Sequence, residues 1–183
     1  MKKVAIHLAK GFEEVEALSV VDVLRRADIP VTTVSVTGEK QVTGSHHITI
    51  LADALFEEVD YEDVDMIVLP GGKEGVDNLY SHEGLKAQIS AFNDQKKYLA
   101  AICAGPSIYG RMGLLKGEKA ISFPAFQQYL EGAEVVNVPA IKSRHFITGK
   151  GVGVALDFAL ELVKNLKDEQ TARELRQRMV MEK

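Results

Sequence analysis

The sequence predicts an α/β protein, a mostly parallel sheet sandwiched between helices in three layers, and three observations carry that expectation. Short apolar runs rich in β-branched residues alternate with stretches of helical period, turns bearing glycine or proline separate them, and the only cysteine stands where one run passes into a helix. In an open sheet of this kind the functional crevice lies at the carboxyl ends of the strands.

Taken in order, Lys3 to Ala9 is almost continuously apolar, the pattern of a strand covered on both faces. Gly11 makes a turn, and Glu13 to Ala27 follows as a helix whose apolar face runs through Ala17, Val20, Val21 and Leu24; Asp28 and Pro30 end it. Glu13, Glu14 and Glu16 crowd its first turns, where carboxylates suit the positive end of the helix dipole. Val31 to Val36 is a second strand, and Gln41 to Thr43 with Ile48 to Leu51 form a hairpin about Gly44-Ser45. Residues 52 to 63 are acidic and carry no clean period. Asp65 to Leu69 is a core strand that stops at Pro70-Gly71-Gly72, a glycine pair whose N–H groups can approach a ligand closely.

Ser81 to Phe92 is expected as a helix capped by Ser81. Tyr98 to Ile102 is the next strand. Lys119 to Ser122 is a short strand, Phe126 to Leu130 a helical turn, and Val135 to Val138 and Phe146 to Thr148 are strands separated by a polar segment containing His145. Gly149 to Gly153 lacks the spacing of a dinucleotide fingerprint or P-loop and is taken as a sharp turn into the helix Val154 to Leu166. Asp168 to Met181 closes the chain as a further helix.

Cys103 is the centre of interest. The residues two before and two after it are Ala101 and Gly105, giving the small-x-nucleophile-x-small spacing of a strained strand-to-helix elbow. Pro106 fits the first position of the following helix, where its missing N–H has no intrahelical partner. A thiol there is expected to feel the helix dipole and to ionise well below the ordinary cysteine value.

The totals bound the rest. The 183 residues suit one domain over 1–183, and the net charge of −4 with no basic block argues against a nucleic-acid or anionic-membrane surface. One cysteine excludes an internal disulfide and any metal site built from several thiolates, and it fits a reducing compartment. The first apolar run is cut by His7 and ended by Lys10, too short for a signal peptide or membrane span, so a cytoplasmic location is expected. None of the five histidines forms a metal-ligand spacing with another on a helix, so no metal and no cofactor is expected; no histidine is assigned a catalytic role, and His145 ranks first among them as a candidate.

Three segments together, Leu-Ala-Lys-Gly-Phe-Glu-Glu-Val-Glu at 8–16, Val-Leu-Pro-Gly-Gly at 68–72 and Ala-Ala-Ile-Cys-Ala-Gly-Pro at 100–106, resemble the ThiJ/PfpI superfamily (class I glutamine amidotransferase-like). The match is nearest its Parkinsonism-associated deglycase branch. The resemblance implies a flavodoxin-like sandwich, a homodimer and a reactive cysteine. It further implies Cys103 as the oxidisable nucleophile, Glu16 as the glutamate in contact with it, and Gly72 and Ala104 as donors of an oxyanion-type pocket. Gly71, Gly105, Pro106 and Phe123 are supporting residues.

Departures from the family pattern also bear on function. The protease-like branch follows its cysteine with histidine and this chain has Ala104, which argues against peptidase or amidase chemistry. Phe123 precedes Pro124 where several members have histidine, His46 replaces a frequent arginine near the dimer contact, and Gly151-Val152-Gly153-Val154 replaces Gly-Pro-Gly-Thr. The first function expected is attack of a Cys103 thiolate on a small aldehyde or dicarbonyl such as methylglyoxal, in glyoxalase or deglycase chemistry, with Glu16 shuttling protons. The alternative is a redox sensor or chaperone in which Cys103 is oxidised to a sulfinate.

Overall fold

A computed structural model describes residues 1–181. Its centre is β1 (Val4–Leu8), buried along its whole length as its apolar run requires. The chain continues through α1 (Glu14–Arg26), β2 (Val31–Ser35), the hairpin β3 (Gln41–Thr43) and β4 (Thr49–Leu51), β5 (Ala54–Leu55), β6 (Met66–Leu69), α2 (Lys73–Ser81) and α3 (Glu83–Gln95). The second half comprises β7 (Tyr98–Ile102), α4 (Pro106–Arg111), β8 (Lys119–Ala120), β9 (Glu134–Val135), β10 (Ala140–Ser143), β11 (Phe146–Gly149), α5 (Ala155–Leu166) and α6 (Glu169–Arg178). Seven of the strands form one sheet in the order β10-β11-β7-β6-β1-β2-β5. Every neighbouring pair in it is parallel except β10 with β11.

Alternation along the strands divides the core into two layers. Ile6, Leu8, Val68 and Ala100 face α1 and α5 and pack with Val20, Leu24, Phe158 and Leu162. Ala5, Ile67, Leu69 and Leu99 face the other way, onto Val76, Leu79, Ile89, Phe92 and Tyr109 of α2, α3 and α4. Each of these large side chains contributes about 1.5–3 kcal/mol by leaving water. On α1, the apolar face expected from the sequence is buried, whereas Val15 and Leu18 stay 52% and 40% exposed.

Five expectations change. The helix placed at Ser81 to Phe92 runs from Glu83 to Gln95, and its cap is His82, whose Nδ1 accepts the Leu85 N–H at 3.0 Å. Ser81 instead closes α2, a helix the sequence reading did not contain, with its hydroxyl donating to the Asp77 carbonyl at 2.9 Å. The aperiodic stretch 52–63 supplies β5, a parallel edge strand beside β2. The polar segment around 140 is β10, an antiparallel edge strand that tolerates polar residues on its solvent side. The strand expected at Val135 to Val138 shrinks to Glu134–Val135 and pairs with β8 outside the main sheet. No helix among the described residues is long and apolar enough to cross a membrane.

Candidate active site

From β1 the chain lays β2 on one side and β6 on the other, so the strand order reverses between β1 and β6, where such sheets open a crevice at their carboxyl ends. The loop after β1 is pinned across that crevice. Glu13 donates its N–H to the Gly71 carbonyl at 2.9 Å, and Gly75 donates to the Gly11 carbonyl at 3.2 Å. These bonds bring the first turn of α1 against the Pro70-Gly71-Gly72 turn, and β7 next to β6 delivers Cys103 to the same place.

Cys103 occupies the left-handed region, φ +63°, as the strained elbow requires. Its backbone is held on both sides, the N–H by the Gly149 carbonyl at 3.0 Å and the carbonyl by the Phe123 N–H at 2.8 Å. Gly105 and Pro106 follow, with Pro106 the first residue of α4. The thiol is half-buried, and the N–H groups of Gly72 and Ala104 are directed at Sγ. Glu16 is fully buried, and its Oε2 accepts the Gly71 N–H at 2.8 Å. The same carboxyl is in hydrogen-bonding contact with the Cys103 thiol, and Oε1 finds no nitrogen or oxygen partner among the described residues.

Burial raises Glu16 to about 7, against the lowering effect of its bonds to the thiol and to Gly71. Burial also pushes Cys103 up to about 12, reinforced by the charge and hydrogen bond of Glu16 and only partly offset by the Ala104 and Gly72 N–H groups. The thiol is therefore not lowered in isolation, contrary to the expectation from the helix dipole. The six-residue α4 offers a weak dipole, and loss of solvation outweighs it. The two groups behave as a pair that gives up one proton near neutrality and holds the other far into the alkaline range. Near neutral pH the carboxyl is therefore partly ionised beside a thiol that keeps its proton.

Cys103 and Glu16 open into a cavity of about 360 Å³ whose apolar side is Phe123, Phe126 and Val152. His46, Ser45 and Glu13 stand opposite, none of which the sequence reading placed at the site. The donor atoms of Glu13, Glu14 and His46 lie within 4.8 Å of one another. His145, preferred from the sequence, is at the far edge of the sheet. Its carbonyl accepts the Leu99 N–H at 2.9 Å near the start of β7, whereas Cys103 follows the end of that strand, about 13 Å further along. Its ring bonds Asn93 at 3.1 Å. A separate cleft of about 460 Å³ between α5 and α6 is lined by Asp157, Lys164, Glu169, Arg173 and Arg176. Asp157 pairs with Arg176, and Glu169 with both Lys164 and Arg173.

Comparison with known proteins agrees with this fold. The family described as DJ-1/PfpI matches residues 2–165. The chain is 34% identical over 163 residues to "Protein DJ-1 homolog B" of Arabidopsis thaliana, covering 88% of this chain and 37% of that protein. It therefore spans little more than a third of that relative's length. It is 29% identical over 167 residues to "Deglycase TK1284" of Thermococcus kodakarensis, covering 90% of this chain and 99% of that one. Among solved structures, oxidized Toxoplasma gondii DJ-1 superimposes with a TM-score of 0.94 at 32% identity, covering 98% of each chain.

Proposed function

The chain belongs to the DJ-1/PfpI family, and from that premise we propose that it is a cysteine-dependent stress-response enzyme acting on reactive dicarbonyls, of glyoxalase or deglycase type. The observation that carries this reading is the convergence on one sulfur of a buried carboxyl and two backbone N–H groups. Glu16 takes the thiol proton as Sγ adds to the aldehyde carbon of a substrate such as methylglyoxal. The carbonyl electron pair moves onto oxygen, where the Gly72 and Ala104 N–H groups serve as donors, and Glu16 returns the proton to give a hemithioacetal. Hydrogen transfer between the two substrate carbons converts this adduct to a thioester, and water releases a hydroxy acid and the free thiol. In the deglycase version the adduct begins from a glycated amine or thiol, which is released. These steps are written with side chains and backbone N–H groups of this chain alone.

The test is methylglyoxal consumption by wild type and Cys103→Ser in metal-free, Tris-free buffer. Loss of turnover in the variant supports the reading, and full retention overturns it. The protein's partners on this reading are the small aldehyde and a second copy of the chain; the exposed Val15 and Leu18 on α1 suit such a homodimer. A cytoplasmic location fits the single free thiol.

The same N–H groups favour a second reading, oxidation of Cys103 to a sulfinate, because they suit its oxygens as well as they suit an oxyanion. With one cysteine in the chain no internal disulfide intercepts the sulfenate. Intact mass after mild peroxide reads this directly: a gain of two oxygen atoms lost in Cys103→Ser supports it, and an unchanged mass overturns it.

A further inference from the structure

The cavity that exposes Cys103 has a second titratable wall, made where the β3–β4 hairpin folds back onto the loop after β1. Gly11 donates to the Thr43 carbonyl at 2.9 Å and Ser45 to the Phe12 carbonyl at 2.8 Å. Beneath the hairpin turn lies the buried carboxylate of Glu14. Its Oε1 accepts the His46 backbone N–H at 2.7 Å, while Oε2 accepts the Ser45 hydroxyl at 3.1 Å and lies 2.9 Å from His46 Nδ1. So close an approach requires glycine at 44, since a Cβ there would stand 2.4 Å from Glu14 Oε1. The imidazole is thus held by one nitrogen on a carboxylate, while its other nitrogen makes no hydrogen bond among the described residues.

Resting on the dicarbonyl reading above, we propose that the Glu14–His46 pair is the second proton-transfer device of this cavity, with His46 Nε2 serving the substrate carbonyl that the sulfur does not attack. The chemistry calls for such a group. Once Sγ has added to the aldehyde carbon, Glu16 is adjacent to that carbon and removes its hydrogen as a proton. The C–H electron pair becomes the carbon–carbon double bond, and the electron pair of the neighbouring carbonyl takes a proton from His46 to give an enediol. Glu16 then delivers its proton to the second carbon while the hydroxyl on the first returns one to the now neutral His46. The thioester results, with both side chains restored and atoms and charge balanced before water enters.

The other groups around the cavity are less suited to this role. Phe123, Phe126 and Val152 carry no exchangeable proton. Lys73 directs its ammonium to Asp77 at 3.3 Å. Glu13 is occupied through Oε2 as the cap of α1, accepting the Glu16 N–H at 2.7 Å. The groups facing His46 are Glu13 and Glu14 from the start of α1, Lys73 from α2 and the Glu16–Cys103 pair at the elbow. The hydrogen bond and charge of Glu14, with a smaller effect from Glu13, raise the imidazole above its ordinary value, so it keeps a proton to give at neutral pH.

The experiment is the pH profile of methylglyoxal turnover for wild type, His46→Gln and Glu14→Gln, with Cys103 alkylation measured alongside. His46→Gln is expected to lower kcat on the order of a hundredfold with little change in KM and unaltered alkylation. Glu14→Gln is expected to move the alkaline limb to lower pH, and added imidazole is expected to restore part of the rate to His46→Ala. Wild-type kcat and an unchanged profile in His46→Gln would overturn the proposal while leaving the dicarbonyl reading standing. A wild-type protein that is alkylated at Cys103 yet turns over no dicarbonyl overturns both.

Discussion

The Gly71 N–H meets Glu16 Oε2 at 2.8 Å, and the space a Cβ on Gly71 would need is filled by that same oxygen, 2.4 Å away. The Cys103 Cβ closes the other side at 2.6 Å. Gly71→Ala should therefore force the carboxyl and the thiol apart. A loss of about 1–3 kcal/mol in urea unfolding is expected from overpacking, together with a drop in Cys103 reactivity that the stability change alone does not explain. Wild-type alkylation in a folded Gly71→Ala protein would show that the contact has no bearing on the thiol.

The alkylation profile of Cys103 follows from the paired titration. Since Glu16 is raised to about 7 and the thiol to about 12, the proton lost near pH 7 is the carboxyl's, and the thiolate itself forms only far into the alkaline range. Iodoacetamide rates in wild type should rise through that range. In Glu16→Gln the midpoint should fall yet stay above the ordinary value of about 8.5, because the carboxylate's charge is gone while burial remains. An identical profile in both proteins would separate the two residues.

His7 links stability to acid. Burial, with help from the charge of His82, depresses it to about 3, and its Nε2 lies 2.7 Å from the Tyr61 hydroxyl. The folded protein therefore keeps His7 neutral where the unfolded chain would bind a proton. Its contribution is full above the unfolded value of about 6.5 and is lost as pH falls from there to about 3. Urea midpoints should decline over that window in wild type and decline less in His7→Leu. At neutral pH, Tyr61→Phe should cost about 1–3 kcal/mol by leaving the ring nitrogen without its partner.

His145 provides the control. It lies at the opposite edge of the sheet from Cys103 and its ring bonds Asn93. His145→Ala should leave methylglyoxal turnover and Cys103 alkylation at wild-type levels while lowering stability by about 1 kcal/mol. A fall in kcat without a fall in stability would contradict its placement.

What could be read in the chain itself was local. Ala101, Cys103 and Gly105 carry the elbow in their spacing, and the continuous apolar runs of β1, β6 and β7 mark the centre of a sheet covered on both faces. α2 escaped because only Val76 and Leu79, with Gly75, are buried on it. Gly75 is a poor helix former placed where its backbone packs on Phe12. The histidine of the cavity escaped for a different reason. His46 reaches the site through a carboxylate 32 positions away, by way of a hairpin folding back onto another loop, and no local period records such a meeting. His145 was attractive in the sequence because it stands beside a core strand, but a strand has two ends.

Cys103 has a left-handed backbone, φ +63°, in a residue that has a Cβ. That conformation costs roughly 1–2 kcal/mol for any residue but glycine, and here it is borne by the one position that carries the sulfur. A glycine at 103 would satisfy the turn better than the native residue and should raise the unfolding midpoint even as it abolishes reactivity. Substitution by serine or alanine keeps the strain and lacks that gain. The elbow is thus a place where fold and chemistry prefer different residues, and selection for stability alone would erase the thiol.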